Sequence, residues 1–248
     1  MINQVIQGNV LEILPQIPSS FVTLAPIDPP FGIGYQNKDW DKFESQEEFL
    51  KFSEKWIKEV FRILKDNGTL YCFMAWQNAA EIKLILDNYG TIRNWITWTR
   101  LKGRGTKKNY KSMKEEVFYY TKTDKFIWNP QQILKKHVFP YVKDGKPRGW
   151  FLDADGNKVR WTGVGNSWSY TPPFWKMKEW YGHPSQKPEL MYERMILASS
   201  NEGDTILDIF SGSGTASVVA KKLNRNFICV ENDPYWVDVI KRRLSEIK

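Results

Sequence analysis

Residues 205–215 read Thr-Ile-Leu-Asp-Ile-Phe-Ser-Gly-Ser-Gly-Thr, an apolar run that passes directly into a glycine-rich turn. The residues up to Leu223 have the composition of a helix, and a second apolar run covers 226–231. A strand, a tight turn, a helix and a strand in this order form the unit from which a parallel α/β sheet is built. Glycines in such a turn let the backbone approach a ligand closely.

A carboxylate closes this unit. Glu231 ends the second apolar run, 17 residues after Gly214, and an acidic residue about that far along is positioned to bind ribose hydroxyls. The pattern therefore predicts a ligand that contains adenosine. It is not a dinucleotide fingerprint, because Ser217 stands where the third glycine would be. A ligand without phosphates suits the pattern better.

The flanking sequence alternates between helices and strands. Apolar residues from Phe49 to Leu64 recur at steps of three and four, which predicts an amphipathic helix that ends at Asn67-Gly68. Further elements are expected as helices over 78–88, 188–200, 215–223 and 235–247, and as strands over 21–24, 69–75, 91–99 and 117–121. The predicted fold class is α/β, a mostly parallel twisted sheet with helices on both faces.

Near the start of the chain, Asp28-Pro29-Pro30-Phe31 follows a short apolar strand. Two prolines stop a central strand, so the chain turns at its carboxyl end, the edge at which open α/β sheets place their sites. The exocyclic amine of a base is a poor nucleophile, because its lone pair is delocalised into the ring, and two acceptors are needed for its hydrogens. The Asp28 carboxylate and the Pro29 carbonyl can accept them, and Phe31 can stack on the base. These four residues are the predicted catalytic residues.

The charge of the chain favours a polyanionic partner. Its 248 residues have a formal net charge of +8 and include 12 tryptophans, and cations beside aromatic rings suit nucleic acids. Five cations and a tyrosine lie together in 102–111, where two glycines predict a loop. We expect this loop to contact phosphates through the following side chains: Arg104, Lys107, Lys108 and Lys111.

The composition also excludes other classes of protein. No stretch approaches the roughly 18 apolar residues of a membrane helix, and the N-terminus has no secretory signal. Cys72 and Cys229 lie in apolar runs and are predicted to be buried thiols. Two cysteines and two histidines form no metal-ligand spacing. A cytoplasmic protein without a metal is expected.

Residues 122–182 differ from both flanks. They are rich in Trp, Lys, Pro and Gly with weak periodicity, and turn-type sequences at 143–146 and 153–157 predict small β-hairpins. A segment this long with little regular structure is usually functional. The chain is therefore divided into 1–121, the inserted segment 122–182 and 183–248.

The motifs, taken in order, resemble those of the DNA amino-methyltransferases that act on adenine N6 or cytosine N4. The run 28–31 resembles the catalytic motif of that family, and 208–215 resembles its cofactor motif. The run 183–188, His-Pro-Ser-Gln-Lys-Pro, resembles a box that precedes the cofactor motif in the β class. This order resembles a circular permutation of the common methyltransferase fold. Phe31 stands where tyrosine is commoner, and Pro26 is unusual within a strand.

The resemblance implies S-adenosyl-L-methionine as cofactor and assigns roles to residues of this chain. Asn9 stands where the family has an aspartate that contacts the adenosine, and segment 122–182 stands where the target-recognition region lies. Trp40-Asp41 resembles a Trp-Asp pair that follows the catalytic motif. The cofactor-binding residues implied are Asn9, Asp28, His183, Ser185, Lys187, Asp208, Phe210, Ser211, Gly212, Gly214, Thr215, Glu231 and Asn232.

The resemblance implies double-stranded DNA as substrate, a flipped-out target base, and a homodimer or a cognate restriction endonuclease as possible partners. The aspartate at position 28 favours adenine N6 over cytosine N4. Methylation of an RNA or of a protein amide is an alternative of another class, although the protein-glutamine enzymes have their cofactor motif first in the chain. A non-catalytic DNA-binding module is a third interpretation, which the intact motifs disfavour.

Overall fold

The computed structural model describes residues 1–106, 108–138, 142–147 and 149–247. Within them the helices are α1 (Val10–Ile13), α2 (Gln46–Ile63), α3 (Ala79–Leu86), α4 (Glu189–Ser199), α5 (Thr215–Lys222) and α6 (Pro234–Ser245). The strands are β1 (Gln4–Gln7), β2 (Val22–Ile27), β3 (Leu64–Met74), β4 (Thr91–Thr106), β5 (Asn109–Thr121), β6 (Lys135–His137), β7 (Val142–Lys143), β8 (Lys146–Pro147), β9 (Phe151–Leu152), β10 (Lys158–Thr162), β11 (Ser167–Ser169), β12 (Thr205–Asp208) and β13 (Asn226–Glu231).

Eight strands form the central sheet, in the order β1-β13-β12-β2-β3-β5-β4-β11. The pairs from β1 to β3 are parallel, whereas β5 runs antiparallel to both β3 and β4. From β12 the chain continues outward to β13, and from β2 it continues outward on the other side to β3. The strand order therefore reverses between β12 and β2, and a crevice is expected at their carboxyl ends.

Helices cover both faces of this sheet, as the sequence predicts. On one face the buried residues include Trp56 of α2 and Leu86 of α3. On the other face they include Met195 of α4, Val218 of α5 and Ile240 of α6. The strands between the two layers are apolar on both sides; all six residues of β2 are buried, for example. This confirms the predicted α/β fold with a mostly parallel sheet.

Pro26 lies in the middle of the sheet, inside β2. Its register partner on β3 is Tyr71, whereas β2 and β12 share a single register pair, Leu24 with Ile206. A proline has no N–H to donate to a neighbouring strand. It is therefore tolerated in β2, because the pairing of β2 with β12 ends before Pro26. The two strands part beyond Leu24, on the side of the crevice.

The boundary between α2 and β3 differs from the prediction. The helix begins after Ser45, whose hydroxyl accepts a hydrogen bond from the Glu48 N–H. It ends at Ile63, and the expected helix end at Asn67-Gly68 is wrong, because Gly68 lies inside β3. Leu64 pairs with Val22 of β2, and this contact between segments distant in sequence begins the strand early.

The predicted basic loop at 102–111 is also different in the structure. β4 continues to Thr106 and β5 begins at Asn109, so most of the segment belongs to the two arms of a long hairpin. Register shifts between Thr99 and Arg104 and between Arg104 and Thr106 accommodate the irregular sequence. Cross-strand hydrogen bonding to β5 keeps the glycine-containing stretch extended, which local composition does not reveal.

Within segment 122–182, both predicted hairpin turns are present. Asp144 and Gly145 have positive φ angles between β7 and β8, as a two-residue hairpin turn requires. The Asp153 carboxylate accepts hydrogen bonds from the N–H groups of Asp155 and Asn157 between β9 and β10. β6, β10 and β9 form a small separate sheet, and β11 returns to pair with β4 of the central sheet. No helix in the described part of the chain is long and apolar enough to cross a membrane.

Candidate active site

A cavity of about 1020 Å³ opens at the carboxyl ends of β2 and β12. The three motifs are far apart in sequence, and all of them contribute to its walls. The lining includes Asn9, Asp28, Pro29, Pro30, Phe31, His183, Ser185, Lys187, Phe210, Ser211, Gly212, Thr215, Glu231 and Asn232. The structure thus brings together nearly all of the predicted catalytic and cofactor-binding residues. The exceptions are Asp208 and Gly214.

The loop after Asp28 is held in shape by one buried carboxylate. Asp41 accepts hydrogen bonds from the backbone N–H groups of Phe31, Gly32, Ile33 and Tyr35. Three of these donors belong to no helix or strand, and the fourth, Tyr35, is the first residue of a short 3-10 helix, so none of them has a partner within a regular element. Asp41 thereby fixes the path of the chain beside the predicted catalytic residues.

Two further contacts press this loop against the helical layer. Asn78, at the start of α3, donates to the Phe31 carbonyl at 2.8 Å. Gly32 has a φ of +66°, and a Cβ there would lie 2.6 Å from the ring of Phe49. Only glycine fits both the left-handed conformation and the close approach. The backbone around Phe31 therefore has little freedom to move.

Asp28 forms a buried ion pair. Its Oδ2 lies 2.6 Å from Lys187 Nζ, and the two side chains are 13% and 4% exposed. Asp28 Oδ1 accepts no hydrogen bond from any residue that the structure describes. Burial raises the pKa of Asp28 to about 6, against the opposing effect of Lys187. The carboxylate is therefore ionised at neutral pH and retains a free acceptor oxygen.

Lys187 stays charged although it is buried. Burial alone would lower its pKa, but the carboxylates of Asp28 and Glu115 outweigh this effect and raise the pKa above its usual value. The Nζ also lies 5.3 Å from the ring centroids of Phe31 and Phe73 and 5.9 Å from that of Trp98. Aromatic faces at these distances stabilise a cation.

The glycine-rich turn is held by the carboxylate predicted to bind ribose. Glu231 Oε2 accepts from the Gly212 N–H at 2.6 Å, and Oε1 accepts from the N–H groups of Asn232 and Asp233. Burial raises the pKa of Glu231, and these backbone hydrogen bonds oppose the shift. Glu231 thus orders two loops of the cavity wall, and its oxygens have further lone pairs for a ligand.

The imidazole of His183 packs against one side of the glycine-rich turn. A Cβ on Gly212 would lie 2.9 Å from the imidazole, and Gly212 has a φ of +50°. The ring also contacts Trp236 edge to face, with centroids 4.7 Å apart. Burial, followed by the charge of Lys187, lowers the pKa of His183 to about 4. The imidazole is therefore neutral at physiological pH and is a packing and hydrogen-bonding group.

The remaining predicted cofactor residues have structural surroundings of different kinds. Asn9 caps α1 by accepting from the Leu11 N–H at 3.0 Å. Ser185 Oγ lies 3.3 Å from His183 Nδ1. The Phe210 ring packs edge to face on Trp56 with centroids 5.8 Å apart, which anchors the glycine turn to α2.

Asp208 and Gly214 lie behind the cavity wall. Burial and the charge of Glu231 raise the pKa of Asp208 to about 8. Gly214 has a φ of +75°, and a Cβ there would meet Ile240 of α6 at 2.7 Å. Both residues support the turn from within the core. Their direct contact with a cofactor stays a prediction.

The predicted DNA-contacting cations lie apart from the cavity. Lys108 and Lys111 are exposed near the tip of the β4–β5 hairpin. Arg104 is paired in register with Ser112 of β5, and Lys107 lies outside the described residues. Neither Lys108 nor Lys111 lines the cavity, so any role of these two lysines in DNA binding is separate from the chemistry.

Sequence reasoning missed several charged residues that line the cavity, including Arg100 and Glu115, which lie beside Lys187. Both lie on strands, at positions that alternation alone does not distinguish from surface charges. Asp41 was recognised only as part of a Trp-Asp pair. The two thiols are buried as predicted. No set of three or more potential metal ligands occurs among the residues with described positions.

The fold and the crevice define an α/β methyltransferase. The model of the DNA methylase family of the N6/N4 type matches residues 22–242. The chain is 33% identical to the type II methyltransferase M.HpaI of Haemophilus parainfluenzae, covering 99% of this chain and 75% of that protein. It is 35% identical to M1.MboII of Moraxella bovis, covering 100% and 98%. The chain belongs to this DNA methylase family.

Other comparisons agree with this assignment. DNA adenine methyltransferase YhdJ of Escherichia coli (strain K12) is 33% identical over 97% of this chain and 82% of its own length. Among solved structures, M1.HpyAVI in complex with SAM superimposes with a TM-score of 0.64 at 20% identity, covering 97% and 98% of the two chains. The cytosine-N4-specific PvuII DNA methyltransferase gives 0.74 at 17% identity, covering 97% and 85%. These structures share the fold.

Proposed function

We propose that this protein transfers a methyl group from S-adenosyl-L-methionine to N6 of an adenine at a specific sequence in double-stranded DNA. The proposal rests mainly on Asp28. This buried carboxylate is ionised at neutral pH and has one oxygen without a donor among the described residues. An acceptor of this kind fits the amino group of a base.

The cavity fits the cofactor by its donor set. Glu231 supplies a carboxylate for the ribose hydroxyls, and Asn9 and Asn232 supply amides on the same wall. Gly212 leaves the floor open, since a side chain there would displace His183. Ser185 and Lys187 lie at the other end, nearer to Asp28. When bound, the cofactor supplies a methyl group on a positively charged sulfur.

The residues after β2 prepare the base. Asp28 and the Pro29 carbonyl accept the two amine hydrogens, which concentrates the lone pair on the nitrogen. Phe31 stacks on the ring of the base, which must first leave the duplex at a cost of a few kcal/mol. With the cofactor bound, the nitrogen would attack its methyl carbon directly, so that the N–C bond forms as the S–C bond breaks and a neutral thioether leaves. Asp28 would accept the surplus proton of the amine. Cys229 takes no part, because burial raises the pKa of its thiol to about 12.

Adenine is proposed over cytosine on two grounds. Position 28 is Asp, which favours adenine within the family resemblance, and YhdJ is named a DNA adenine methyltransferase. The likeness to the cytosine-N4-specific structure is one of fold at 17% identity. It does not favour cytosine for this chain.

The division of the chain supports separate roles. We assign 1–121 and 183–248 to catalysis and cofactor binding, because the cavity is lined mainly from these parts. The inserted part, 122–182, is assigned to target recognition. Its small sheet of β6, β10 and β9 lies apart from the central sheet, and the β4–β5 hairpin with Arg104, Lys107, Lys108 and Lys111 is assigned to phosphate contact.

The setting is proposed to be that of a type II methyltransferase, as M.HpaI and M1.MboII are named. A cognate restriction endonuclease would then recognise the same sequence. A homodimer is proposed on the family resemblance, and sedimentation at micromolar concentration measures it.

The experiment is methyl transfer from labelled S-adenosyl-L-methionine to mixed-sequence duplex DNA, followed by nucleoside analysis. We expect label in N6-methyladenine. Label in N4-methylcytosine would reverse the base assignment, and label in RNA or protein alone would overturn the DNA substrate. The matched variants are Asp28→Ala, which should abolish transfer but retain DNA binding, and Glu47→Ala, an exposed carboxylate of α2 outside the cavity lining that is expected to leave transfer unchanged.

A further inference from the structure

Glu115 of β5 is one of the charged residues that line the cavity without an assigned role. Its Oε1 lies 2.9 Å from Arg100 Nη1, and its Oε2 lies 3.4 Å from Lys187 Nζ. Lys187 in turn lies 2.6 Å from Asp28 Oδ2. Four buried charges of alternating sign therefore form a continuous row from Arg100 to Asp28.

We propose that Glu115 is a positioning residue that, together with Arg100, holds Lys187 between two carboxylates and thereby sets how strongly Asp28 accepts hydrogens from the target amine. This inference rests on the proposed function of Asp28 as the acceptor. It concerns a residue that does not itself contact the base.

The position of Glu115 follows from strand alternation. Glu115 is the register partner of Trp98 on β4, and its neighbour Glu116 is the partner of Thr97. Successive side chains point to opposite faces of a sheet. Glu115 thus lies on the face covered by α4, near the residues that precede that helix, whereas Glu116 lies on the other face.

The row contains two positive and two negative side chains, and all four are largely buried. The side chains of Arg100, Glu115, Lys187 and Asp28 are 11%, 13%, 4% and 13% exposed. Burying charges costs several kcal/mol each unless each has a partner. Glu115 Oε2 lies 3.4 Å from Lys187 Nζ, farther than the 2.6 Å that separates this nitrogen from Asp28 Oδ2. The contact is long enough to share the lysine without withdrawing it from Asp28.

Sharing the lysine changes the chemistry at Asp28. A lysine paired with Asp28 alone would hold the carboxylate tightly and make it a poor acceptor. Glu115 partly offsets the positive charge of Lys187 and adds a negative charge near Asp28. Both effects favour proton acceptance by Asp28. In agreement, burial first and then Glu115 raise the pKa of Asp28, and Lys187 lowers it.

The groups whose charge or titration acts on or with Asp28 come from several elements. They are Lys187 before α4, Glu115 of β5, Asp41 of the loop after β2, Asp208 of β12, Cys72 of β3 and Tyr192 of α4. Burial raises the pKa of Cys72 and of Tyr192 well above neutrality, so both stay neutral between pH 5 and 9. Of the charged groups, Lys187 and Glu115 have the largest effects on Asp28.

The chain offers a matched control one residue away. Glu116 is also ion-paired, with Lys114 at 3.1 Å, and its side chain is 4% exposed against 13% for Glu115. It accepts hydrogen bonds from Trp95 and Thr97. It does not line the cavity. Glu115→Gln and Glu116→Gln therefore remove the same charge from the same strand, on opposite faces of the sheet.

The test is the pH profile of single-turnover methyl transfer to duplex DNA for the wild type and both variants. For Glu115→Gln we expect a rate at neutral pH lower by about tenfold to 100-fold, as for a group that positions another, with an unchanged KM for DNA. We also expect the acid limb to move to lower pH, because the charge that favours protonation of Asp28 is gone. Glu115→Asp should restore most of the rate.

Glu116→Gln should leave both the rate and the acid limb as in the wild type. An acid limb that stays in place in Glu115→Gln, or that moves equally in both variants, would overturn the inference. Thermal melting and binding of S-adenosylhomocysteine show that each variant is folded with an intact cofactor cavity. If Glu115→Gln fails to fold, Arg100→Gln removes the cation that neutralises Glu115, and the acid limb should then move to higher pH. A wild type that methylates no DNA would overturn the proposed function itself, which is a distinguishable result.

Discussion

Lys187 Nζ lies 2.6 Å from Asp28 Oδ2, although 159 residues separate the two in the chain. Asp28 follows β2, and Lys187 precedes α4, which packs on the face of the same sheet. The contact joins the motif proposed to bind the target amine to the 183–188 box, which precedes the glycine-rich turn in the chain. It also places a permanent positive charge beside a carboxylate whose ionised form is required, so the pair links the structure of the site to its pH dependence.

The activity is expected to fall as the pH is lowered through about 6. Burial raises the pKa of Asp28 to about 6. Only the ionised carboxylate can accept a hydrogen bond from the target amine and then accept its proton. Below this pH the single-turnover rate should drop about tenfold per unit. His183 has a pKa lowered to about 4 and stays neutral across this range. A limb near pH 4 with unchanged cofactor affinity would show that Asp28 titrates like an exposed aspartate.

Replacing Asp41 with Asn should impair the site without touching the reacting atoms. Its carboxylate accepts four backbone N–H groups of the loop after Asp28, and an amide retains one acceptor oxygen for them. Loss of charge-assisted hydrogen bonds of this kind costs about 1.5–3 kcal/mol each. We expect faster hydrogen exchange at the amides of 31–35 and a rate lowered at least tenfold.

The control for this change is Glu47→Gln, an exposed carboxylate at the start of α2 that is paired with Lys51 at 2.6 Å and does not line the cavity. It should leave exchange and rate unchanged. Equal effects in the two variants would mean that the loop is not held by Asp41.

Gly212→Ala should weaken cofactor binding more than it weakens the fold. The new Cβ would lie 2.9 Å from the His183 ring at a φ of +50°, so the imidazole that lines the cavity must move. We expect affinity for S-adenosyl-L-methionine to fall at least tenfold, measured by calorimetry.

Gly203→Ala provides the comparison, since Gly203 has a φ of +81° but a Cβ added there would meet no atom within 4 Å. It should cost roughly 1–3 kcal/mol of stability through backbone strain alone and leave the cofactor affinity intact. Similar loss of affinity in both variants would assign the effect to strain rather than to the cavity.

Removing two exposed cations near the tip of the hairpin should change how salt affects DNA binding. If Lys108 and Lys111 each neutralise a phosphate, Lys108→Ala with Lys111→Ala should flatten the slope of log affinity against log salt by about two units. The rate at saturating DNA should not change. The matched pair is Lys241→Ala with Arg242→Ala, two exposed cations of α6, for which the slope should stay constant. An unchanged slope in the hairpin variant would remove these lysines from the DNA interface.

Sequence patterns predicted most of this molecule because they record local physics. Some patterns determine the backbone only within a few residues of their own position. They include the apolar runs that form β12 and β13, the glycines between β12 and α5, and the prolines after Asp28. Periodicity placed the helices and strands, and motif order predicted the permuted fold. Local patterns failed where distant segments decide the backbone: Leu64 becomes strand by pairing with Val22, and the segment near Arg104 is extended by pairing with β5.

The sequence by itself determined the fold class, and it predicted the candidate catalytic run 28–31 and the candidate cofactor turn, because each is a short stretch whose chemistry depends on adjacent residues. Only the tertiary structure decided which charges act on Asp28. Three charged residues approach Asp28 from separate segments of the chain: Lys187, Glu115 and Arg100. The distances between their charged groups depend on how the helices and strands pack. Charge interactions depend on separation in space and on burial, and neither is encoded in the spacing of residues along the chain.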